Sequence, residues 1–210
     1  MADYVFGYGS LLERASRTRT NPDAIGAWPA RVKGFERGWF HQFKNFAGNT
    51  CTFLGAVEAA SKIINGVIYP VADLQSTKDR EVGYTATPIH PGSIEMLDGG
   101  EAWDPKTPVY IFLSKEDYIS ETREPTREFP MVQSYVDICI NGCLELEALY
   151  RKVQGSFTEE FIRLTSGWNK FWANDRIYPR RASIYIPNAS AIDKALQAGG
   201  KLQLRQLHDL

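Results

Sequence analysis

The chain has 210 residues, 43% of them hydrophobic and 23% charged, with a formal net charge of -1. That composition suits one folded domain with a sizeable core, and the near-neutral charge supplies no field for a nucleic-acid backbone or an acidic membrane surface. Three cysteines, Cys51, Cys139 and Cys143, are too few and too odd a set for a disulfide scaffold, and the three scattered histidines make a zinc site a poor fit.

In chain order, Val5-Phe6-Gly7-Tyr8-Gly9-Ser10-Leu11-Leu12 comes first. It opens apolar, as a buried strand does, and then breaks into a glycine turn from which a helical turn can start. Neighbouring N–H groups in such a turn can converge on a carboxylate or an oxyanion. The spacing is neither the dinucleotide fingerprint, whose third glycine would fall at Leu12, nor a Walker loop. No basic region followed by a long apolar run precedes it, and no stretch reaches membrane-spanning length, so a cytosolic protein is expected.

Residues 14–23 read as polar and basic, with Asn21-Pro22-Asp23 a turn. Ala30-Arg31-Val32-Lys33-Gly34-Phe35 alternates as a half-exposed strand. Residues 37–44 are aromatic and basic, which suits either a wall of the core or stacking on bases. Residues 45–49 read as a loop and 51–59 as a strand. Asn65-Gly66 inside Ile63-Ile64-Asn65-Gly66-Val67-Ile68-Tyr69-Pro70-Val71 predicts a hairpin turn entering a buried strand. Residues 74–82 suit a helix that Gly83 can end, and 84–89 a strand that Pro88 places at an edge or an end.

Residues 91–108 are loop-like and 109–113 a strand. From 133 the pattern changes. Residues 133–150 are apolar at helical spacing, with Cys139 and Cys143 on one side as buried thiols. Residues 158–164 form a second helix capped by Ser156 or Thr158 with acids in its first turn. Residues 182–186 suit a short strand and 189–197 a short helix. No repeat or linker divides 1–210, which reads as a single α+β domain with 133–210 a mainly helical extension.

Chemistry is sparse. No nucleophile elbow, zinc-protease or calcium motif is present. What remains is Asp79-Arg80-Glu81-Val82-Gly83-Tyr84, where Glu81 at a helix end can carry a proton, or can belong to a solvated face paired with Arg80. Taken together, Tyr8-Gly9-Ser10-Leu11 after an N-terminal strand and Arg80-Glu81-Val82-Gly83-Tyr84 about 70 residues on resemble the gamma-glutamylcyclotransferase-like family in order and spacing. Ala30-Arg31-Val32-Lys33-Gly34-Phe35 is similar to the family's "A-x-[VL]-x-G-[FY]" strand. Ile64-Asn65-Gly66-Val67-Ile68-Tyr69-Pro70-Val71 is similar to its "v-x-G-x-[VIL]-[YW]-x-[VIL]" strand. Gln133-Ser134-Tyr135 resembles a tyrosine-bearing segment, and Asn174-Asp175-Arg176 a C-terminal portion of larger bacterial members, without a role.

The resemblance implies a small mixed β-barrel with surrounding helices, and cyclisation of a small γ-glutamyl compound to 5-oxoproline without a cofactor. It implies Glu81 as the general acid/base and Tyr8, Gly9, Ser10 and Leu11 as the backbone pocket. Tyr84 and Tyr135 can each bind substrate or serve as core tyrosines. Val82 and Tyr84 are expected to bury Glu81, and an inward-turned Arg80 to oppose the resulting rise in its pKa. Two other classes compete: a non-catalytic metabolite-binding module on the same cavity, and a single-strand binder built on 31–44.

Overall fold

In a computed structural model of the chain, residues 3–44, 49–99, 103–179 and 188–205 are described. Residues 45–48 of the expected loop at 45–49, and the expected strand at 182–186, lie outside those residues. Strand β1 (Asp3–Gly7) leads into a 3-10 turn at Ser10–Leu12 and helix α1 (Arg14–Thr20). Two long strands follow, β2 (Trp28–Lys44) and β3 (Thr50–Val71), then helix α2 (Leu74–Arg80) and strand β4 (Tyr84–Pro88). Strands β5 (Ile94–Met96), β6 (Val109–Ser114) and β7 (Met131–Val132) come next. Helices α3 (Gln133–Leu149) and α4 (Phe157–Leu164), strands β8 (Thr165–Ser166) and β9 (Trp172–Ala173), and helix α5 (Ala189–Ala198) complete the chain.

The strands form one mixed sheet in the order β4-β6-β1-β3-β2-β5, with β7, β8 and β9 attached off that path. β1 lies between β3, antiparallel, and β6, parallel, so its C-terminal end and the glycine turn emerge at the centre of the sheet. β4 is an edge strand that ends at Pro88, which lacks the N–H a further ladder bond would need. The fold class is therefore the expected one, α+β with helices around a mixed sheet.

Three local expectations are corrected. Residues 14–20 form a helix, hidden from a periodicity reading because its inward residue is a cation. Arg17 is buried and donates to the carbonyls of Leu12, at 2.7 Å, and Ala24, at 3.1 Å. Asn65-Gly66 is not a hairpin but mid-strand, with Asn65 opposite Arg31 and Gly66 opposite Ala30. Gly66 is there for close approach: a Cβ would lie 2.5 Å from the Phe6 ring and 2.6 Å from the Gly7 carbonyl oxygen. Finally, Ser156 precedes α4 but does not cap it, because the Thr158 N–H bonds instead to Glu147 Oε1 at 2.7 Å.

The aromatic-basic stretch is core as far as His41, and Phe43 and Lys44 at its end are exposed. Trp39, Phe40, His41 and Arg37 of β2 are all buried, and Arg31 pairs with Glu160 at 2.8 Å. Cys51, Cys139 and Cys143 are buried, and among the described residues none forms a disulfide. Among the described residues no helix is long and apolar enough to cross a membrane.

Helix α3 packs directly on the glycine turn. Gly142 permits this, since a Cβ there would fall 2.4 Å from the Glu13 amide nitrogen and 2.6 Å from the Leu12 carbonyl carbon. Gly142→Ala is expected to push the helix off the turn and to cost about 1–3 kcal/mol, an overpacking penalty readable from a denaturant midpoint. Unchanged stability would show that the two backbones separate freely.

Residues Asn174-Asp175-Arg176 acquire a structural place. Asp175 accepts from the Ser134 N–H at 2.7 Å and its hydroxyl at 2.6 Å, and so caps α3 from a distance. Arg176 spans Asp137, at 2.7 Å, and Asp193 of α5, at 2.9 Å. Together they hold the first turn of α3, which carries Tyr135.

Candidate active site

The glycine turn is held at several points. The Leu12 N–H bonds to the Gly9 carbonyl at 3.0 Å and the Glu13 N–H to that of Ser10 at 3.3 Å. The Tyr8 hydroxyl donates to the Phe112 carbonyl on β6 at 2.5 Å. Neither Gly7 nor Gly9 adopts positive φ. Both glycines serve close contact instead: a Cβ on Gly7 would sit 2.8 Å from that of Leu11, and one on Gly9 would sit 3.0 Å from the Tyr135 hydroxyl.

Glu81 reaches the same place from the end of α2. Asp73 starts that helix by accepting from the Gln75 and Ser76 N–H groups. The helix stops at Arg80, and Glu81 leaves it at φ -95° and ψ 52°, two residues earlier than Gly83 would end it. Its backbone is fastened on both sides, N–H to Thr77 at 3.0 Å and carbonyl from Tyr84 at 2.9 Å.

A cleft of about 320 Å³, counting its open mouth, joins these pieces. All seven site residues expected from the sequence line it: Tyr8, Gly9, Ser10, Leu11, Glu81, Tyr84 and Tyr135. Phe6, Leu54 and Phe112 supply apolar lining that the sequence reading missed.

The surroundings of Glu81 differ from the expectation at Val82 and match it at Arg80. Val82 is 64% exposed and shields nothing. Arg80 does turn inward: its Nε lies 3.1 Å from Glu81 Oε1, in a pair whose side chains are only 19% and 17% exposed. The solvated helix face is thus replaced by a mostly enclosed ion pair. The Tyr8 hydroxyl is held well above its ordinary pKa, first by burial and then by the nearby Tyr135 and Glu81. It remains a proton donor throughout the neutral range.

Tyr84 is anchored by its hydroxyl, which donates to the Leu54 carbonyl at 2.9 Å. Its ring stacks on buried His41, with centroids 3.9 Å apart and planes 6° from parallel. Tyr118 stacks near the same imidazole at 5.2 Å. Burial pushes the His41 pKa down to about 3. Unfolded His41 gains its proton near pH 6.5, so between the two values the unfolded state binds the extra proton and acid weakens the fold. The penalty is absent above pH 6.5 and grows to about 2 kcal/mol by pH 5. His41→Phe is expected to reduce the stability lost between pH 7.5 and pH 5 by about that amount. An equal loss in both proteins would refute it.

Arg37, His41 and Tyr69 were not singled out from sequence as parts of this neighbourhood. Tyr69 had a signal, since it occupies the aromatic position of the strand pattern. It is buried, its hydroxyl lacks a hydrogen-bond partner among the described residues, and burial together with the charge of Glu81 raises its pKa. Among the described residues no cluster of His, Cys, Asp or Glu is fit to hold a metal ion.

No protein-family model matches the chain. No curated protein matches it either. Solved structures do. A "Gamma-glutamyl cyclotransferase" structure aligns over 94% of this chain and 99% of its own, at 14% identity and a TM-score of 0.53. An uncharacterized protein from Homo sapiens aligns over 93% and 98%, at 15% identity and a TM-score of 0.48. A yeast gamma-glutamyl cyclotransferase described as specific to glutathione aligns over 78% and 86%, at 15% identity and 0.42. The first of these, matched along almost the whole of both chains, gives the conclusion that this protein has the gamma-glutamyl cyclotransferase-like fold.

Proposed function

We propose that this protein cyclises the γ-glutamyl end of a small γ-glutamyl compound to 5-oxoproline and releases an amine or amino acid. The observation that carries the reading is the meeting of Glu81 with the Tyr8–Leu11 turn in one cleft, from positions about 70 residues apart in sequence. A carboxylate beside a cluster of backbone donors is what an intramolecular acyl transfer requires.

The substrate's α-amino nitrogen attacks its own γ-carbonyl carbon. As the new N–C bond forms, Glu81 takes the proton the nitrogen loses, and the carbonyl oxygen becomes an oxyanion. As the old C–N bond breaks, Glu81 returns the proton to the departing nitrogen, so the carboxylate is regenerated and no cofactor is consumed. The turn uses the Leu12 and Glu13 N–H groups internally. Those of Gly9, Ser10 and Leu11 are assigned to the oxyanion or to the substrate α-carboxylate. An oxyanion donor is worth about 3 kcal/mol of barrier. The tether between amine and carbonyl supplies much of the entropic advantage. Ser10 is a pocket residue here, since the cyclisation needs no nucleophile.

The test is release of 5-oxoproline, followed by mass spectrometry, across γ-glutamyl amino acids, γ-glutamyl amines and glutathione. Product from at least one compound is expected. No product from any of them, with a thermal shift induced by one, would replace the enzyme by a binding module on the same cavity.

A further inference from the structure

Arg80 does more than neighbour Glu81. Its Nη1 donates to the Ser16 carbonyl at 2.9 Å and the Thr20 hydroxyl at 2.5 Å. Its Nη2 donates to the hydroxyls of Ser16, at 3.2 Å, and Ser10, at 3.4 Å. Its Nε faces Glu81 Oε1 at 3.1 Å. One guanidinium therefore joins α1, the glycine turn and the proton carrier. Adjacent residues within a helix point to different sides, and this pair can meet because Glu81 has left helical geometry. The contacts to Ser10, Ser16 and Thr20 fix the guanidinium independently of Glu81, so the cation is preset and the carboxylate is oriented by it.

We infer that Arg80 is the positioning residue of this site: it keeps the Glu81 carboxylate ionised and directed at the cleft, and locks it in register with the Ser10 turn. The inference rests on the role given to Glu81 above. An opposite charge 3.1 Å away favours the ionised form of the carboxylate. Glu81 then waits as a base at neutral pH.

The other titratable groups around Glu81 do not substitute for Arg80. Tyr8 on the turn, Tyr69 on β3, Tyr84 on β4 and Tyr135 on α3 are phenols, which ordinarily ionise near pH 10. Burial keeps His41, behind Gly83, neutral down to about pH 3. Arg17 of α1 is occupied by the carbonyls of Leu12 and Ala24, Lys115 by that of Val82, and the Asp79 carboxylate by Gln75.

The test reads Glu81 directly, by NMR titration of its side-chain carboxyl in protein grown on isotope-labelled glutamate, with the signal assigned by its loss in Glu81→Gln. In Arg80→Gln the midpoint is expected to rise by about one pH unit or more, and the acid limb of kcat/KM to move with it. Arg80→Lys keeps the charge and is expected to hold the midpoint near wild type while kcat falls. An unmoved midpoint in folded Arg80→Gln overturns the inference. If that variant does not fold, a wild-type midpoint at or above the ordinary glutamate value of about 4.3 overturns it. If wild type gives no product from any substrate, the reading of the reaction falls, and the titration still decides whether Arg80 controls Glu81.

Discussion

Glu81→Gln is expected to abolish 5-oxoproline release, with a loss of about a thousandfold or more, while leaving the fold intact. The carboxamide has the shape of the carboxylate and keeps an oxygen that can accept from Arg80, so the contact at 3.1 Å has a replacement. It cannot take a proton from the attacking amine. General acid–base catalysis contributes about 10²–10⁴-fold, and here one group serves both halves of the transfer. The thermal midpoint is therefore expected to stay within a few degrees of wild type while turnover is lost. Activity near the wild-type level in a folded Glu81→Gln protein would remove Glu81 from the mechanism. The readout must be product and not substrate depletion, because a binding module would also lower the free substrate concentration.

Much of this site could be read before the structure was seen, because its parts are local. A strand followed by Gly-Tyr-Gly-Ser, and a helix ended at a carboxylate, are short-range signals. The sheet then brings them together across about 70 residues. Other features were hidden because they depend on long-range packing. Asn65-Gly66 carries a strong turn signal, but Gly66 is required by the Phe6 ring of a neighbouring strand, and the Asn65 side chain serves Arg37 and the Phe157 carbonyl. Helix α1 escaped the periodicity argument because Arg17 occupies the inward position that an apolar residue would mark. Val82 was expected to shield Glu81 on hydropathy alone, whereas its position just past the helix end turns it to solvent. The role of Asp175 and Arg176 depends on partners about 40 residues away on α3.

Arg37→Ala is expected to be among the most destabilising single changes in the chain. Arg37 is fully buried on β2, and among the described residues no carboxylate pairs with it. Its charge is spread over neutral acceptors: the Asn65 carbonyl at 2.6 Å, the Asn65 side-chain oxygen at 3.1 Å, the Phe161 carbonyl at 2.9 Å and the Thr165 hydroxyl at 2.8 Å. The guanidinium also lies 3.9 Å from the centre of the Phe161 ring. Burial lowers its pKa to about 10, so it is still charged at neutral pH. Removing it strands several buried oxygens, each costing about 1–3 kcal/mol, and leaves a void between β2, β3 and α4. A loss of about 3–5 kcal/mol follows, or roughly 10 °C in the thermal midpoint for a chain of this size. Arg37→Met fills the space without a charge and so escapes the desolvation cost, and it is expected to lose less than Arg37→Ala. Denaturant midpoints of both variants measure the difference. A loss below about 1 kcal/mol in Arg37→Ala would mean that water replaces the guanidinium at those oxygens. The full loss would show that this unpaired cation holds the sheet against α4, just behind the Tyr8 carbonyl that the same guanidinium approaches at 3.5 Å.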